Sequence, residues 1–216
     1  GCTGLTDMTI PDNVKSIGGS AFYGCTGLTE ITIPDSVTSL GFEAFRDCAS
    51  LTEITIPDSV TSISYATFSG CVGLTEITIP NSITSIGNYA FYETRINKAI
   101  IPETVSFVGE YAFARNQSLT EISYPAAAKS IPQGCFYGCF CVQSYEIPEG
   151  ITSIGSSAFY DTWRANTVIP NSVTSIGSSA FYDSGIENVV INEDVSVGSQ
   201  AFRNCARLKT IELPTR

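Results

Sequence analysis

Short runs of alternating apolar and polar residues return at a fixed interval along the chain. In the stretch LTEITI, Ile31 and Ile33 alternate with Glu30 and Thr32. A period of two is typical of a β-strand that buries one of its faces. The next residue, Pro34, ends the strand because proline has no N–H to donate to a sheet. This pattern predicts a short strand with Glu30 and Thr32 facing solvent.

A second apolar pair and a turn complete the repeated unit. Val37 and Leu40 enclose two polar residues, which predicts a second, shorter strand. Gly41 then allows the chain to turn, and we expect Ala44 and Phe45 to point inward from a short helical or 3-10 turn. One circuit takes about 23 residues, and successive coils are expected to stack about 4.8 Å apart.

The phenylalanine of the Ala-Phe pair aligns every copy of this unit. Successive phenylalanines are separated by 23, 23, 23, 22, 23, 23, 22 and 21 residues. A fixed period of this size is the signature of a solenoid, in which stacked units share one continuous core. We therefore predict one mainly-β solenoid over residues 1–216, with about ten repeats of 21–23 residues. The phenylalanines of its expected core ladder are Phe22, Phe45, Phe68, Phe91, Phe113, Phe136, Phe159, Phe181 and Phe202.

Six cysteines share one position of the repeat, in the turn that leads into the first strand. Cysteine stands there when the next leucine position comes six positions after the phenylalanine, as from Phe22 to Leu28, with Asn116 as the exception. When the leucine position comes only five positions after the phenylalanine, the cysteine position holds Thr94, Thr162 or Ser184. The longer turn therefore leaves a small inward space, which a buried cysteine fills as a small apolar side chain. The cysteines of this expected packing column are Cys2, Cys25, Cys48, Cys71, Cys139 and Cys205.

The remaining cysteines and the absence of histidine limit the chemistry of the chain. Cys135 and Cys141 lie outside the column but close in sequence to Cys139, so a local disulfide among the three stays open. Such a disulfide would indicate an oxidising compartment. The sequence lacks the C-x₂-C spacing of zinc sites and contains no histidine. We therefore expect no metal, no cofactor and none of the histidine-dependent catalytic groups.

Composition and charge narrow the classes of partner. Hydrophobic residues make up 43% of the chain, and its formal net charge is −10. Nucleic acids and anionic membrane surfaces favour Lys and Arg clusters instead, and no apolar run reaches the roughly 18 residues of a membrane span. Residues 1–93 contain two basic and ten acidic residues, whereas residues 94–216 contain nine and eleven. The repeats of the second half also depart from the consensus, as at Trp163 and Arg164. A binding site shaped by selection is therefore expected in the second half rather than in the first.

The predicted solvent-facing strand positions form a candidate binding face. In the first repeats this face is acidic and rich in hydroxyl groups, as expected of a solvated surface copied by duplication. In later repeats Ile100, Val168 and Val190 take outward positions, and exposed apolar residues on a sheet can mark partner sites. The candidate face comprises Asp7, Glu30, Glu53, Glu76, Lys98, Ile100, Glu121, Glu146, Val168 and Val190.

The full pattern L-x-x-I-x-I-P-x-S-V-x-x-I-G-x-x-A-F-x-x-C resembles the BspA-like class of leucine-rich repeats, from Cys2 to Pro214. The resemblance implies a right-handed arc with a parallel sheet on its concave side, short second strands, and helical or 3-10 turns on the other side. The chain departs from ordinary leucine-rich repeats where those have a buried asparagine, because Ser36, Ser59 and Ser82 stand there. We expect hydroxyl groups to replace that asparagine ladder up to Thr104 and the ladder to lapse mid-chain, at Ala127 and Gly150.

The resemblance also implies a function. Repeats of this class occur mostly in surface or secreted proteins of bacteria and some protists, are associated with adhesion and protein binding, and carry no catalytic motif. It therefore implies a non-enzymatic extracellular or cell-surface module with a protein or glycan ligand. A structural spacer that presents another domain is the alternative. A carboxylate-dependent glycosidase is a remote third hypothesis, because carboxylates stacked about 4.8 Å apart approach the roughly 5–5.5 Å of a retaining pair.

The two ends of the sequence lack an evident cap. Consensus core residues such as Leu5 and Ile10 already stand in the first coil. Because the terminal coil of a solenoid exposes its core unless a polar unit covers it, we expect a longer protein with repeats or caps on both sides. For the segment alone, the sequence predicts end-to-end self-association through its bare strand edges.

Overall fold

The computed structural model, which describes residues 1–162, 167–191 and 194–212, is a mainly-β parallel solenoid of about nine turns. Each regular turn contains a first strand from the L-x-x-I-x-I stretch and a shorter second strand after the proline. The first strands are β1 (Asp7–Thr9), β3 (Glu30–Thr32), β5 (Glu53–Thr55), β8 (Lys98–Ile100), β10 (Glu121–Ser123), β12 (Ser144–Tyr145), β15 (Asn188–Val190) and β17 (Thr210–Glu212). The second strands are β2 (Ser16–Ile17), β4 (Ser39–Leu40), β6 (Ser62–Ile63), β7 (Ser85–Ile86), β9 (Phe107–Val108), β11 (Ser130–Ile131), β13 (Ser153–Ile154), β14 (Ser175–Ile176) and β16 (Ser196–Val197). We call the outward sides of these two sets the first-strand face and the second-strand face.

Neighbouring strands are parallel and in register, so equivalent residues of successive repeats lie side by side. Glu30 is aligned with Glu53, and Ser62 with Ser85. The second strands form the sheets β2-β4, β6-β7-β9 and β11-β13-β14-β16. The first strands form β1-β3-β5, β8-β10-β12 and β15-β17. Within the described residues, the predicted parallel sheet is therefore present but divided into three parts on the first-strand face.

The divisions of this sheet accompany the short turns of the repeat. The turns after Phe91, Phe159 and Phe181 are one residue shorter than the turns after the other phenylalanines. The strand that follows Phe91, β8, pairs with β10 only, and the strand that follows Phe181, β15, pairs with β17 only. Residues 167–169, in the repeat after Phe159, form no strand. Residues 75–79 also form no strand although the turn before them, after Phe68, has the full length, so turn length alone does not decide where the ladder is interrupted.

The turn around the phenylalanine is not helical, which corrects the prediction of helical or 3-10 turns on that side. In the described residues the single helical element is the 3-10 helix Ala126–Ala128. Elsewhere the turn stacks on the next repeat through backbone hydrogen bonds: the amides of Phe22 and Gly24 donate to the carbonyl oxygens of Ala44 and Arg46, at 2.8 Å each. A helix would use these amides within its own turn. The turn instead forms a third ladder between coils.

This third ladder requires left-handed backbone conformations at two positions per turn. In the repeat of Phe159, Ser157 has φ 55° and Asp161 has φ 59°. The same positions in the preceding repeat hold Gly134 and Gly138, at φ 60° and 70°. Glycine adopts this region freely, whereas an L-residue with a Cβ there costs roughly 1–2 kcal/mol. Repeats without the glycines therefore carry backbone strain that the ladder offsets.

The phenylalanine column forms the centre of the core. The rings of successive repeats stack with centroids 5.1–5.8 Å apart and interplanar angles of 5–18°. The ring of Phe22 is 9% exposed and Phe202 is half-buried. The fully buried members are Phe45, Phe68, Phe91, Phe113, Phe136, Phe159 and Phe181.

The cysteine column donates hydrogen bonds as well as filling space, and the repeat pattern predicted only the second role. The Sγ atom of Cys71 donates to the carbonyl oxygen of Phe45 in the preceding repeat, at 3.1 Å. The same contact to the preceding phenylalanine is made by Cys48 at 3.1 Å, Cys139 at 3.2 Å and Cys205 at 2.9 Å. Burial raises the pKa of Cys48 and of Cys139 to about 12, so both thiols stay protonated as this role requires.

The residues that replace cysteine in this column are also donors. The hydroxyl of Thr162 donates to the carbonyl oxygen of Phe159 at 2.8 Å. The amide of Asn116 donates to the carbonyl oxygens of Phe91 and Phe113, both at 2.8 Å. Asn116, the exception in the sequence pattern, therefore satisfies two carbonyl groups at once. Most members of the column therefore act as hydrogen-bond donors in addition to filling a small volume.

The individual cysteines correct one further expectation and decide one alternative that the sequence left open. Cys25, Cys48, Cys71 and Cys139 are buried, but Cys2 is exposed and Cys205 is half-buried because they belong to the outermost described coils. All eight thiols are free in the structure. The disulfide left open for Cys135, Cys139 and Cys141 is therefore not formed.

A hydroxyl ladder stands where ordinary leucine-rich repeats have asparagine. The hydroxyls of Ser36 and Ser82 donate to the carbonyl oxygens of Val14 and Val60, each at 2.7 Å. Thr104 and Ser172 make equivalent bonds of 2.9 and 2.8 Å to the preceding repeat. These bonds tie the turn after each proline to the coil before it.

Candidate binding face

The first-strand face exposes the residues that the sequence analysis assigned to it. In β3, β5, β8 and β10 the central residue is buried and both flanking residues are exposed. This alternation follows from the two-residue period of the strand. The exposed members of the candidate face are Asp7, Glu30, Glu53, Glu76, Lys98, Ile100, Glu121, Glu146, Val168 and Val190.

The first three repeats bring carboxylates together in one column. Asp7 is aligned with Glu30, and Glu30 with Glu53, with a threonine column two residues further along each strand. Within the described part of the chain, none of these three carboxylates has a basic side chain within 4.0 Å. This part of the face therefore presents unneutralised negative charge.

The charge pattern changes where β8 begins. Lys98 is aligned with Glu121, and its Nζ lies 2.8 Å from the carboxylate. This hydrogen bond is the main cause that raises the pKa of Lys98. Exposed pairs of this kind contribute little to stability. The effect of the Lys98–Glu121 pair is to neutralise the charge of the first-strand face beside Ile100, the first exposed apolar residue of the candidate face.

Three apolar side chains face solvent in the second half of the face. Ile100 is 48% exposed, Val168 is 71% exposed and Val190 is 42% exposed. Val168 lines a groove of about 850 Å³ whose other walls include Glu121, Glu146 and two prolines. Ile100 lies on β8 and Val190 on β15, and these strands belong to separate parts of the divided sheet. The three apolar residues therefore do not share one strand ladder.

The carboxylates at the start of the face share one kind of environment. Asp7, Glu30, Glu53 and Glu76 are all exposed, and none lies in an enclosed cleft that would give one acid an environment unlike the next. A retaining or inverting glycosidase needs two acids with different protonation states. Among the described residues, no group of three or more Asp, Glu or Cys side chains could hold a metal ion.

Three half-buried tyrosines that follow the phenylalanine in later repeats, Tyr137, Tyr160 and Tyr182, offer no free ring face between repeats. Tyr137 stacks on Tyr160 with centroids 4.9 Å apart, and Tyr160 stacks on Tyr182 at 4.7 Å. A sugar that binds an aromatic residue needs the face of the ring, and here those faces cover one another. These stacked tyrosine rings therefore cover the outer edge of the coils.

Two features of the sequence analysis fall outside the described residues. The atypical stretch at Trp163 and Arg164 lies between the described ranges 1–162 and 167–191. The end of the repeat pattern at Pro214 lies beyond residue 212. In the described part of the chain, no helix has the length and apolar character to cross a membrane.

Parallel ladders in register, a buried phenylalanine column and a polar strand face together define a leucine-rich-repeat type of β-solenoid. The chain belongs to the BspA type leucine rich repeat region family, whose six-copy model matches residues 1–120 and 108–216. The resemblance deduced from the repeat pattern is thereby confirmed.

Solved structures show the same fold. A leucine-rich repeat protein from Bacteroides ovatus is 32% identical with a TM-score of 0.79, and the match covers 97% of this chain but 63% of that protein. The T. pallidum leucine rich repeat protein is 26% identical with a TM-score of 0.67, over 76% of this chain and 78% of that protein. The pneumococcal vaccine antigen PcpA is 20% identical with a TM-score of 0.57, over 96% and 72%, which shows the fold alone. No curated protein matches the chain significantly.

Proposed function

We propose that this chain is a non-enzymatic module that binds a protein ligand through the second half of its first-strand face. The observation that carries the proposal is the exposure of Ile100, Val168 and Val190 on a face that is otherwise polar. Exposed apolar side chains grouped on one surface favour a partner that covers them. Membership of the BspA type family supports the proposal and, with it, an extracellular or cell-surface location.

The apolar residues account for the affinity, and the charges account for the orientation of the ligand. Covering a half-exposed valine or isoleucine contributes about 1 kcal/mol, so three of them contribute about 3 kcal/mol. Glu146 and Glu149 line the groove that contains Val168, which favours a ligand with basic side chains around an apolar patch. A protein surface fits this description better than a glycan does, because the two tyrosines that line the groove, Tyr124 and Tyr145, are buried and offer no exposed ring for a sugar.

A triple serine variant tests the proposal. The unmodified chain and the variant Ile100→Ser, Val168→Ser, Val190→Ser are compared for capture of a ligand from surface-protein extracts of the host or neighbouring cells. Captured ligand is then titrated to obtain Kd. We expect the variant to bind at least about 30-fold more weakly, because about 2–3 kcal/mol of apolar contact is removed.

The matched control replaces three apolar residues that are equally exposed elsewhere. Phe42, Val72 and Val197 are 59%, 41% and 43% exposed and lie outside the first-strand face. Replacing these three by serine should leave binding unchanged. If both variants bind as the unmodified chain does, or if no ligand is captured at all, the chain acts instead as a spacer that presents another domain.

A further inference from the structure

Four aromatic residues lie on neighbouring coils, in the segment that joins the second strand to the phenylalanine turn. Phe42 and Tyr65 come two residues after the ends of β4 and β6, and Tyr89 and Tyr111 come three residues after the ends of β7 and β9. The coils that carry these residues are the second to the fifth. We call the four residues the aromatic stripe.

The fold does not require aromatic residues at these positions. Other coils form the same turn with Gly-Ser at residues 19–20 and with Ser-Ser at residues 178–179. Tyr89 and Tyr111 also have φ angles of 57° and 54°, in the left-handed region that bulky side chains rarely adopt. An unfavourable backbone conformation of a large, partly exposed side chain is a reason to look for a functional role.

The rings form a continuous surface across the third, fourth and fifth coils. Tyr65 meets Tyr89 with ring centroids 5.9 Å apart and an interplanar angle of 65°, and Tyr89 stacks on Tyr111 at 5.2 Å. Phe42 extends the stripe to the second coil, where the amide of Glu43 donates to the carbonyl oxygen of Tyr65 at 2.8 Å. A ligand that follows the stripe therefore meets four successive coils, over about 15 Å at roughly 4.8 Å per coil.

The most exposed rings of the stripe are at its Phe42 end. A Cβ atom at Gly19 would lie 2.6–3.0 Å from three ring carbons of Phe42, so the ring occupies the space over this glycine. The preceding coil thus supports the ring of Phe42, which nevertheless remains 59% exposed, and Tyr65 is 46% exposed. Exposed aromatic surface of this kind is what a sugar ring packs against.

The surroundings of the stripe are polar but carry little net charge. Two charged residues adjoin members of the stripe in the chain, and one of them, Glu43, is paired with Arg46. The other, Glu110, is exposed and can accept hydrogen bonds. Gln133 donates to the hydroxyl oxygen of Tyr111 at 2.9 Å, which leaves the hydroxyl hydrogen of Tyr111 free for a ligand. This surface complements an uncharged, hydroxyl-rich ligand.

We propose that the aromatic stripe binds an uncharged carbohydrate chain of β-linked pyranose rings. Such rings have flat faces of C–H groups, which pack against Phe42 and Tyr65, and a rim of hydroxyl groups, which bond to Glu110, Gln133 and Tyr111. The ligand is an extended chain because the stripe runs across the coils. The site is separate from the first-strand face and does not depend on the proposed protein ligand.

Binding of defined oligosaccharides tests the site. The probes are β-linked hexasaccharides of glucose, mannose and N-acetylglucosamine, measured by isothermal titration calorimetry, and the control is the α-linked glucose hexasaccharide, whose chain curls. We expect at least one β-linked probe to bind, and the control to bind at least about tenfold more weakly. Phe42→Ser and Tyr65→Ser should each weaken binding of that probe at least about tenfold, which corresponds to about 1.4 kcal/mol.

Two further variants separate the ring from general effects on the coil. Tyr65→Phe keeps the aromatic ring and should bind the probe within about threefold of the unmodified chain. Tyr23 is 40% exposed, but the guanidinium of Arg46 lies over its ring at 5.7 Å from the centroid, so Tyr23→Ser should change binding less than about twofold. The proposal is overturned if no β-linked probe binds, if the α-linked control binds equally well, or if Tyr23→Ser and Tyr65→Ser lose equally.

Capture of the protein ligand distinguishes this site from the proposed function. The triple serine variant at Ile100, Val168 and Val190 should bind the hexasaccharide within about twofold of the unmodified chain, because it leaves the stripe intact. Conversely, Tyr65→Ser should capture the protein ligand as the unmodified chain does. Loss of protein capture by Tyr65→Ser, without hexasaccharide binding by the unmodified chain, would assign the stripe to a protein interface and overturn the carbohydrate site.

Discussion

The hydrogen bond from the cysteine column gives a sharp prediction at Cys71. This side chain is fully buried, and its Sγ donates to the carbonyl oxygen of Phe45 at 3.1 Å. The same oxygen also accepts the amide of Cys48 at 3.2 Å. If the thiol only fills space, alanine should replace it better than serine, because serine buries a polar group. If the thiol acts as a donor, the order should reverse.

The magnitudes follow from the two contributions. Cys71→Ala removes a buried sulfur, similar to one methylene, and leaves the carbonyl with one bond fewer; these losses cost about 1 kcal/mol each. Cys71→Ser loses the same apolar atom but keeps a hydroxyl donor in the position that threonine occupies in the short turns. We expect the free energy of unfolding to fall by about 2 kcal/mol for alanine and about 1 kcal/mol for serine.

Urea denaturation followed by circular dichroism measures both variants, and Cys25 provides the matched control. Cys25 is buried in the same column, but its thiol donates no hydrogen bond within the described residues. At that position serine should be no better than alanine. Alanine equal to or better than serine at Cys71 as well would refute the donor role and restore a purely steric account of the column.

Two further substitutions test the outer turn. Ser157→Gly relieves a left-handed backbone and should raise the free energy of unfolding by about 1 kcal/mol. Ser156→Gly, one residue earlier and without a positive φ, should lower it by about 0.5–1 kcal/mol. Thermal denaturation of both variants checks this difference. Burial and the nearby Asp183 raise the pKa of Asp161, so its ionised form destabilises the fold. That penalty is absent below the unfolded pKa of about 4 and develops as the pH rises through the folded pKa. Asp161→Asn should therefore raise the free energy of unfolding relative to the unmodified chain at pH 7 but not at pH 3. The gain should be less than about 1 kcal/mol, because the group is partly exposed. An equal gain at both pH values would contradict this assignment.

The architecture of the chain could be predicted because it depends on periodicity. The alternation of Ile31 and Ile33 with Glu30 and Thr32 defines a strand with one buried face. The constant spacing of the phenylalanines requires that equivalent residues stack, and Phe45 and Phe68 do so with centroids 5.7 Å apart. Neither inference needs more than the pattern of one repeat and its period.

The outer turn and the divided sheet could not be predicted in the same way. Ser157 gives no sign in the sequence of a left-handed backbone, because the inter-coil hydrogen bonds impose that conformation against the preference of the residue. The copy of LTEITIP at Leu74 is identical to the paired copy at Leu51, so local sequence cannot distinguish them. The donor role of the cysteine column did leave a signal: its substitutes Thr94, Asn116 and Thr162 are all hydrogen-bond donors.

Footprinting of the complex with a captured protein ligand tests the central claim most directly. Hydrogen exchange or hydroxyl-radical labelling is compared for the free and the bound chain, peptide by peptide along the described solenoid. We expect protection at residues 98–100, 167–168 and 188–190 on the first-strand face, and none at the second strands β6, β13 and β14. Protection confined to the second-strand face or to the outer turn would contradict the assignment of the binding surface.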